Sequence, residues 1–449
     1  MQHSRCQQIL APVGRNKGEL AVKLCPQKNT VSITTITPAA QKEAMTTFHG
    51  TPLSAWQSFC RKLVLERLAR IQRGKLRITL PNGQDLEYGD PASKRIADLH
   101  VHDNDFFSRI VLGADVGLGE AYVDGLWDST DVAAFFALLI HNRDLLEDGS
   151  FLVTVFSRTL DRIRHLLRDN SIRGSRRNIH EHYDLGNDFY KTFLDPSMMY
   201  SCGIHHSPDE SLEQAQKNKN QAFIDKLRIS PNDHILEIGC GWGGFAVEAA
   251  RQTGCRVTGI TISSEQKDWA NERVKREGLA DRIDIQLIDY RNIEGRFDRI
   301  VSIEMLEAVG HRWLKHFFYR CDNLLKPGGL MGLQTITIPC EKYDDHRKGT
   351  DWIRKHIFPG GHLPSLTAIR EAITGHTSLT IHDMQEIGLH YADTLREWRH
   401  RFTAQLHTIE SLGLDKTFQR KWNYYLASCE GGFATKATGN VQIVLAKKP

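Results

Sequence analysis

Leu236-Glu237-Ile238-Gly239-Cys240-Gly241-Trp242-Gly243-Gly244 begins inside an extended run over residues 234–238 and leads into a stretch with helical spacing. Glycines suit such a junction because the backbone must turn tightly and approach a ligand closely, which a side chain would block. Outward from it, extended runs at 256–262, 283–288, 297–303 and 330–338 alternate with helical patterns. One of these is opened by Ser263 with Gln266 three residues on, and another covers 312–325. This alternation predicts an α/β chain with a doubly wound, mostly parallel sheet. Upstream, Ser207-Pro208-Asp209-Glu210 has capping-box spacing with Pro at the first helical position, predicting a helix from there to Leu227.

The chain has 449 residues, more than one hydrophobic core usually organises, so two domains are expected. Hydrophobic residues at 40% and charged residues at 25% give a globular balance, not a disordered or membrane-spanning one. Lys plus Arg number 58 against 54 Asp plus Glu, an excess too small to point to nucleic acid. The nine cysteines are scattered, odd in number and never spaced CxxC, which reads as reduced thiols in a cytoplasmic protein. Residues 1–45 lack the apolar core of a signal peptide, and the best apolar run, 132–140, falls far short of the ~20 residues of a spanning helix. Any membrane contact is expected to be peripheral.

Residues 1–44 read as a disordered extension and 45–156 as a smaller α+β domain. Within that domain, 56–70 carries an apolar helical stripe. Residues 75–80, the turn Pro81-Asn82-Gly83 and 85–88 form a hairpin signal. GADVGLGEAYVDGLWD (113–128) is punctuated by glycine. A linker is expected over 157–178, with seven arginines against Asp161 and Asp169. It reads either as a solvated helical face or as a foot on anionic headgroups, where each basic residue contributes about 1 kcal/mol. The larger domain is expected over 179–449.

The glycine loop fits both G-x-G-x-x-G and acidic-x-G-x-G-x-G, so three further features separate two cofactors. A dinucleotide fold wants an acid at the tip of the second strand for the ribose, but that tip reads Thr261-Ile262-Ser263-Ser264. Glu237 precedes the first glycine by two, where a carboxylate can face an ammonium group. Leu325-Lys326-Pro327-Gly328-Gly329 leads into the fifth strand, as it commonly does in class I methyltransferases. Together they favour S-adenosylmethionine.

RRNIHEHYDLGNDFYKTFLDPSMMYSCGIH (176–205) resembles the HYDLGNDF…LD…M.YSC block of the cyclopropane-fatty-acyl-phospholipid synthases and mycolic acid cyclopropane synthases. LEIGCGWGGFA (236–246), VTGITISSEQ (257–266), IFPGGHLPS (357–365) and NYYLASCEGGF (423–433) resemble that family's blocks in the same order, and GLGEAYVDGLWD resembles the amino-terminal domain of its bacterial members. The resemblance implies a class I, Rossmann-like methyltransferase fold, with an unsaturated phospholipid in a membrane surface as substrate. It places the protein peripherally on the inner face of the membrane and leaves self-association as a homodimer open. It gives the cofactor to Tyr200, Ser201, Ile235, Leu236, Glu237, Ile238, Gly239, Cys240, Gly241, Trp242 and Gly243. Thr261, Ile262, Ser263, Ser264, Glu265 and Gln266 stand in place of the ribose-binding acid, and Asp289, Tyr290 and Arg291 fall on the adenine side.

The implied chemistry adds one carbon across a cis double bond. An isolated alkene is a poor nucleophile, so the sulfonium methyl must be held against it in a dry site. The resulting cation wants aromatic faces, for which Tyr183, Tyr200, Trp352 and Tyr391 are candidates. In the family a bound bicarbonate, held by a Cys, a Glu, a His and a Tyr, takes the proton. Cys202, Glu307 and Tyr391 match three of these, and Gln334 stands where the family has His. Gln334 can donate a hydrogen bond but never carries charge. A second departure, Ala308, follows Glu307 where the family has His. Cys429 matches a family cysteine near the carboxyl end, where a buried apolar role competes with a chemical one. These departures leave the product open between a ring, a methylidene and a methyl branch. The rivals are a small-molecule N-methyltransferase and a non-catalytic lipid-binding paralogue. His180-Glu181-His182 and His205-His206 lack metal-ligand spacing, and no metal is expected.

Overall fold

The computed structural model describes residues 53–146 and 185–449. The expected extension over 1–44 and the arginine-rich 157–178 lie outside the described residues, as do Tyr183 and His180-Glu181-His182.

Eleven strands among the described residues fall into two sheets. The smaller holds β1 (Lys75–Thr79), β2 (Asp85–Gly89), β3 (Ile96–Val101) and β4 (Trp127–Asp128), in the order β2-β1-β3-β4. β1 and β2 form the expected antiparallel hairpin, Lys75 opposite Gly89, while β3 runs parallel to β1. The larger holds β5 (His234–Ile238), β6 (Arg256–Thr261), β7 (Ile283–Leu287), β8 (Phe297–Ile303), β9 (Leu325–Thr337), β10 (Leu379–Glu386) and β11 (Gly439–Lys447). Their order is β10-β11-β9-β8-β5-β6-β7. β5 to β9 are mutually parallel, and β11 is antiparallel to both β9 and β10. Helices cover both faces of the parallel strands, so β5 and β6 are buried along nearly their whole length and show no alternation. The order reverses at β5, which lies between β6 and β8, and ligands collect outside the carboxyl ends of strands at such a point.

The glycine-punctuated 113–128 is mostly helix. Asp105–Val123 is one helical segment kinked at Ala114, whose φ is 49°. Gly119 lies against the indole of Trp352, so the glycine there provides close packing between helices. Trp127, Phe106, Phe107 and Phe135 fill the space over the small sheet. The same apolar cluster continues through Trp422 and Tyr424 of helix Lys416–Ala434 to Tyr391 and Trp398 of helix Gly388–Ala404. Asn423 Nδ2 donates to Tyr122 OH at 2.8 Å, and Arg420 Nη2 donates to the Trp127 carbonyl at 2.9 Å. The small sheet is thereby fixed to the carboxyl-terminal helices.

Two boundaries differ from expectation. The helix expected from Ser207 begins instead at Leu212, capped by Ser211, whose hydroxyl accepts from Gln214 N. Glu210 turns back to accept from His206 N, and the buried face of the helix starts only at Leu212. β9 also begins earlier than expected and takes in Lys326-Pro327-Gly328-Gly329.

Candidate active site

The turn after β5 places its glycines where a side chain would fail. Gly239 has φ 81°, and a Cβ on it would sit 2.8 Å from Met305 Cγ, beyond the end of β8. Gly243 is left-handed and caps helix Gly244–Thr253, whose free amide hydrogens face the loop. Trp242 is buried and donates from Nε1 to Asn187 Oδ1 at 2.6 Å.

Glu237 is 3% exposed, and its Oε2 is buried without a hydrogen-bond partner. Burial pushes its carboxyl up to about 8, against the pull of nearby Lys219. Lys219 is fully buried, donates to Ser201 Oγ at 3.0 Å and is pushed down to about 8 by the same desolvation. At the tip of β6, Thr261 Oγ1 donates to Gln266 Oε1 at 2.8 Å, and Ser263 caps helix Ser264–Arg276. Beyond β7, Arg291 grips Asp289 through two bonds of 2.7 and 2.8 Å, while Tyr290 packs edge-on to Phe317. A buried carboxylate with one oxygen unpaired, left-handed glycines and a helix amino terminus at one switch point fit an amino acid bearing a nucleoside. S-adenosylmethionine matches that description, with Glu237 towards its ammonium.

On the other side of the β8 tip, four donors converge on one carboxylate, that of Glu304. Its Oε1 accepts from Cys202 N at 3.0 Å, Gln334 Nε2 at 2.8 Å and Asn440 Nδ2 at 2.7 Å. Its Oε2 accepts from Tyr391 OH at 2.7 Å. The structure thus brings together Cys202, Gln334 and Tyr391, but around Glu304 and not Glu307. Glu304 holds a left-handed φ of 50°, a conformation that costs a non-glycine residue about 1 kcal/mol or more and turns its side chain inward. Strand pairing sets the register. Ile303 opposes Gln334, and Gln334 opposes Gln442, whose Nε2 donates to Gln334 Oε1 at 3.1 Å. Tyr391 is placed by the start of its helix, where Ile387 N donates to the Asn440 carbonyl at 2.7 Å.

Glu307 lies one turn further on. Its Oε1 accepts from Thr335 Oγ1 and Ile336 N, its Oε2 is buried without a partner, and burial followed by repulsion from Glu304 pushes it up to about 8. The Cys202 thiol is pushed up by burial and then by Glu304, so it stays protonated and donates to the Gly203 carbonyl. Its contribution to Glu304 is a backbone amide. Tyr391 is pushed up by the same two causes. Tyr200 bonds Tyr425 OH at 2.8 Å and lies 5.2 Å from the Trp398 ring, while Tyr391 stands 4.5 Å from Phe433, giving an aromatic wall. Trp352 packs instead on Gly119 and Tyr424, towards the small sheet. The hydrogen bonds around Glu304 do not extend to Cys429, which packs on the apolar cluster with its thiol pushed up to about 12 by burial.

Glu304, Asn440 and Lys219 escaped the sequence reading. The signals were present. Glu304 is an acid at the end of a buried strand beside the switch point, and Lys219 falls on the Leu212, Ala215, Gln216, Phe223 stripe of its helix.

A seven-stranded sheet of this order, with a glycine loop and a buried acid at its reversal, defines a class I S-adenosylmethionine-dependent methyltransferase. A family profile described as mycolic acid cyclopropane synthetase matches residues 170–443. The chain is 36% identical to a tuberculostearic acid methyltransferase of Mycobacterium tuberculosis, over 85% of this chain and 90% of that protein. It is 38% identical to the cyclopropane-fatty-acyl-phospholipid synthase of Escherichia coli K12, over 78% and 88% respectively. Among solved structures, a mycolic acid cyclopropane synthase complexed with SAH and CTAB superposes with a TM-score of 0.57 at 30% identity, covering 61% of this chain and 98% of that one. The chain belongs to the cyclopropane-fatty-acyl-phospholipid synthase and mycolic acid cyclopropane synthase family, whose members methylate or cyclopropanate lipid chains with S-adenosylmethionine.

Proposed function

We propose that this protein transfers a one-carbon unit from S-adenosylmethionine to the cis double bond of an unsaturated phospholipid acyl chain, and that proton loss then closes a cyclopropane ring. The observation that carries this reading is a hydrogen-bonded carboxylate at the β8 tip, next to the glycine loop and walled by Tyr391, Tyr200, Trp398 and Phe433. When bound, the cofactor supplies an electrophilic sulfonium methyl. The aromatic wall excludes water and presents π faces to the cation that forms on the acyl chain. The neutral thiol and phenol of Cys202 and Tyr391 add no competing nucleophilic anion. Among the described residues no helix is long and apolar enough to cross a membrane.

A second reading, the same transfer ending in a methylidene or methyl-branched chain, is favoured by the uncharged Gln334 and by the relative named a tuberculostearic acid methyltransferase. Cofactor carrying a 13C methyl, incubated with vesicles of monounsaturated phospholipid, distinguishes them. NMR of the recovered lipid reports a ring, a methylidene or a branch. Label appearing in added amines and never in lipid would refute the reading.

A further inference from the structure

The family's proton acceptor is a free bicarbonate, and the residues assigned to hold it here are Cys202, Gln334 and Tyr391 beside a glutamate. In this chain their donors are already engaged by a carboxylate covalently part of the protein. Cys202 N, Gln334 Nε2 and Asn440 Nδ2 saturate Glu304 Oε1, and Tyr391 OH occupies one lone pair of Oε2. A planar carboxylate with two oxygens is the same acceptor that bicarbonate would present, and both cannot take these donors at once. Bicarbonate therefore does not fit the site as built.

We infer that the carboxylate of Glu304 is the resident proton acceptor of this enzyme, taking the place of a free anion, so that turnover needs no bicarbonate. The inference rests on the proposed lipid reaction for its chemistry and on the hydrogen bonds alone for its occupancy. The atoms balance. The alkene π pair forms the new carbon–carbon bond as the carbon–sulfur bond breaks with its electrons left on sulfur. Glu304 Oε2, with a lone pair still open, then takes a proton from the transferred methyl, and that C–H pair closes the ring. For a methylidene product, hydride shifts first from the methylated carbon to the cationic one. The same oxygen then takes the methyl proton and the pair becomes the carbon–carbon double bond of the methylidene group. Either way Glu304 ends protonated and passes its proton to water.

Three features of the fold support an acceptor at this position. The left-handed backbone at Glu304 is held in place by the four donors it serves. All four of these hydrogen bonds are donations to the carboxylate, the surroundings of an ionised group. Glu307, the neighbouring acid, is raised to about 8 by burial and by Glu304, so at neutral pH it is mostly protonated and does not compete as the acceptor.

The test has a binding arm and a turnover arm, both on the full chain. Titration of wild type with 13C-bicarbonate, followed by NMR and calorimetry, should show no binding, whereas Glu304→Gly, which vacates the donors, should bind it. In buffer stripped of carbon dioxide, wild type should turn over at an unchanged rate. Glu304→Gln should lose about a hundredfold or more, the range for removing a general base, with affinity for SAH unchanged and no rescue by bicarbonate. Glu304→Gly should be slow and recover about tenfold or more with bicarbonate. Saturable bicarbonate binding to wild type, a fall in wild-type rate on stripping, or full turnover by Glu304→Gln would each overturn the inference. If no lipid accepts label at all, the proposed function fails while the binding arm still decides whether Glu304 fills the pocket.

Discussion

Cofactor affinity should rise with pH through the neutral range, and the size of the effect follows from Glu237. In the free protein burial holds this carboxyl at about 8. The ammonium of the cofactor needs it ionised. At pH 7, one unit below, roughly one site in ten is ionised, and deprotonating the rest costs about 1.4 kcal/mol; at pH 6 the cost is about 2.7, and at pH 7.5 about 0.8 kcal/mol. Lys219, lowered to about 8, acts in the same direction, because below that pH its charge opposes an incoming cation. Affinity should therefore strengthen about twentyfold or more between pH 6 and pH 7.5, with close to one proton released per molecule bound at the lower end. Calorimetry with SAH in two buffers of different ionisation enthalpy measures both quantities. Glu237→Gln should bind weakly throughout and lose most of the pH slope. A flat affinity for wild type, or proton uptake on binding, would refute the assignment of Glu237 to the ammonium.

Tyr391→Phe removes the donor on Glu304 Oε2, a bond to a charged group worth about 1.5–3 kcal/mol, and should lower kcat about 10- to 100-fold with the KM for cofactor unchanged. Gly239→Ala places a Cβ against Met305 at a left-handed φ and should cost about 1–2 kcal/mol of stability, read as a drop in Tm, together with most of the SAH affinity in calorimetry. Among the seven described cysteines, exposed Cys340 should be alkylated first by iodoacetamide at pH 8, while buried Cys202, Cys240 and Cys321 resist until unfolding, as peptide mass mapping would report.

The parallel half of the sheet was legible because buried strands announce themselves as apolar runs and the glycine loop marks where the first one ends. β10 was not, since it is an edge strand with one buried residue in eight and carries no alternation. The cap shift from Ser207 to Ser211 has a plain cause. Both serines are followed three residues later by Glu or Gln, and only the second stands directly before the buried stripe. Cys202, Gln334 and Tyr391 were readable as a group, yet their common partner was not. A glutamate gives no sign in sequence that its φ will be positive, and the acid at 307 already satisfied the family's spacing. The distinction is made by strand register, which brings Gln334 and Asn440 to the Glu304 side of the β8 tip.

That register also explains how an acid whose lone pairs are mostly engaged can serve as a base. A carbocation is an extremely strong acid, so its proton needs an acceptor in the correct place and hardly any basicity. Hydrogen bonds that would disable a carboxylate against an ordinary C–H acid leave it competent here. They also fix its position, which governs whether the proton leaves before water reaches the cation. Among the groups bonded to Glu304, the Cys202 amide, the Gln334 and Asn440 amides and the Tyr391 phenol are all neutral donors. A cationic histidine at 334 would add a second positive charge beside a cation, whereas glutamine supplies the same N–H without it. On this account Gln334 belongs with Glu304. Once the anion is built into the chain, no charged partner is required to capture it from solution.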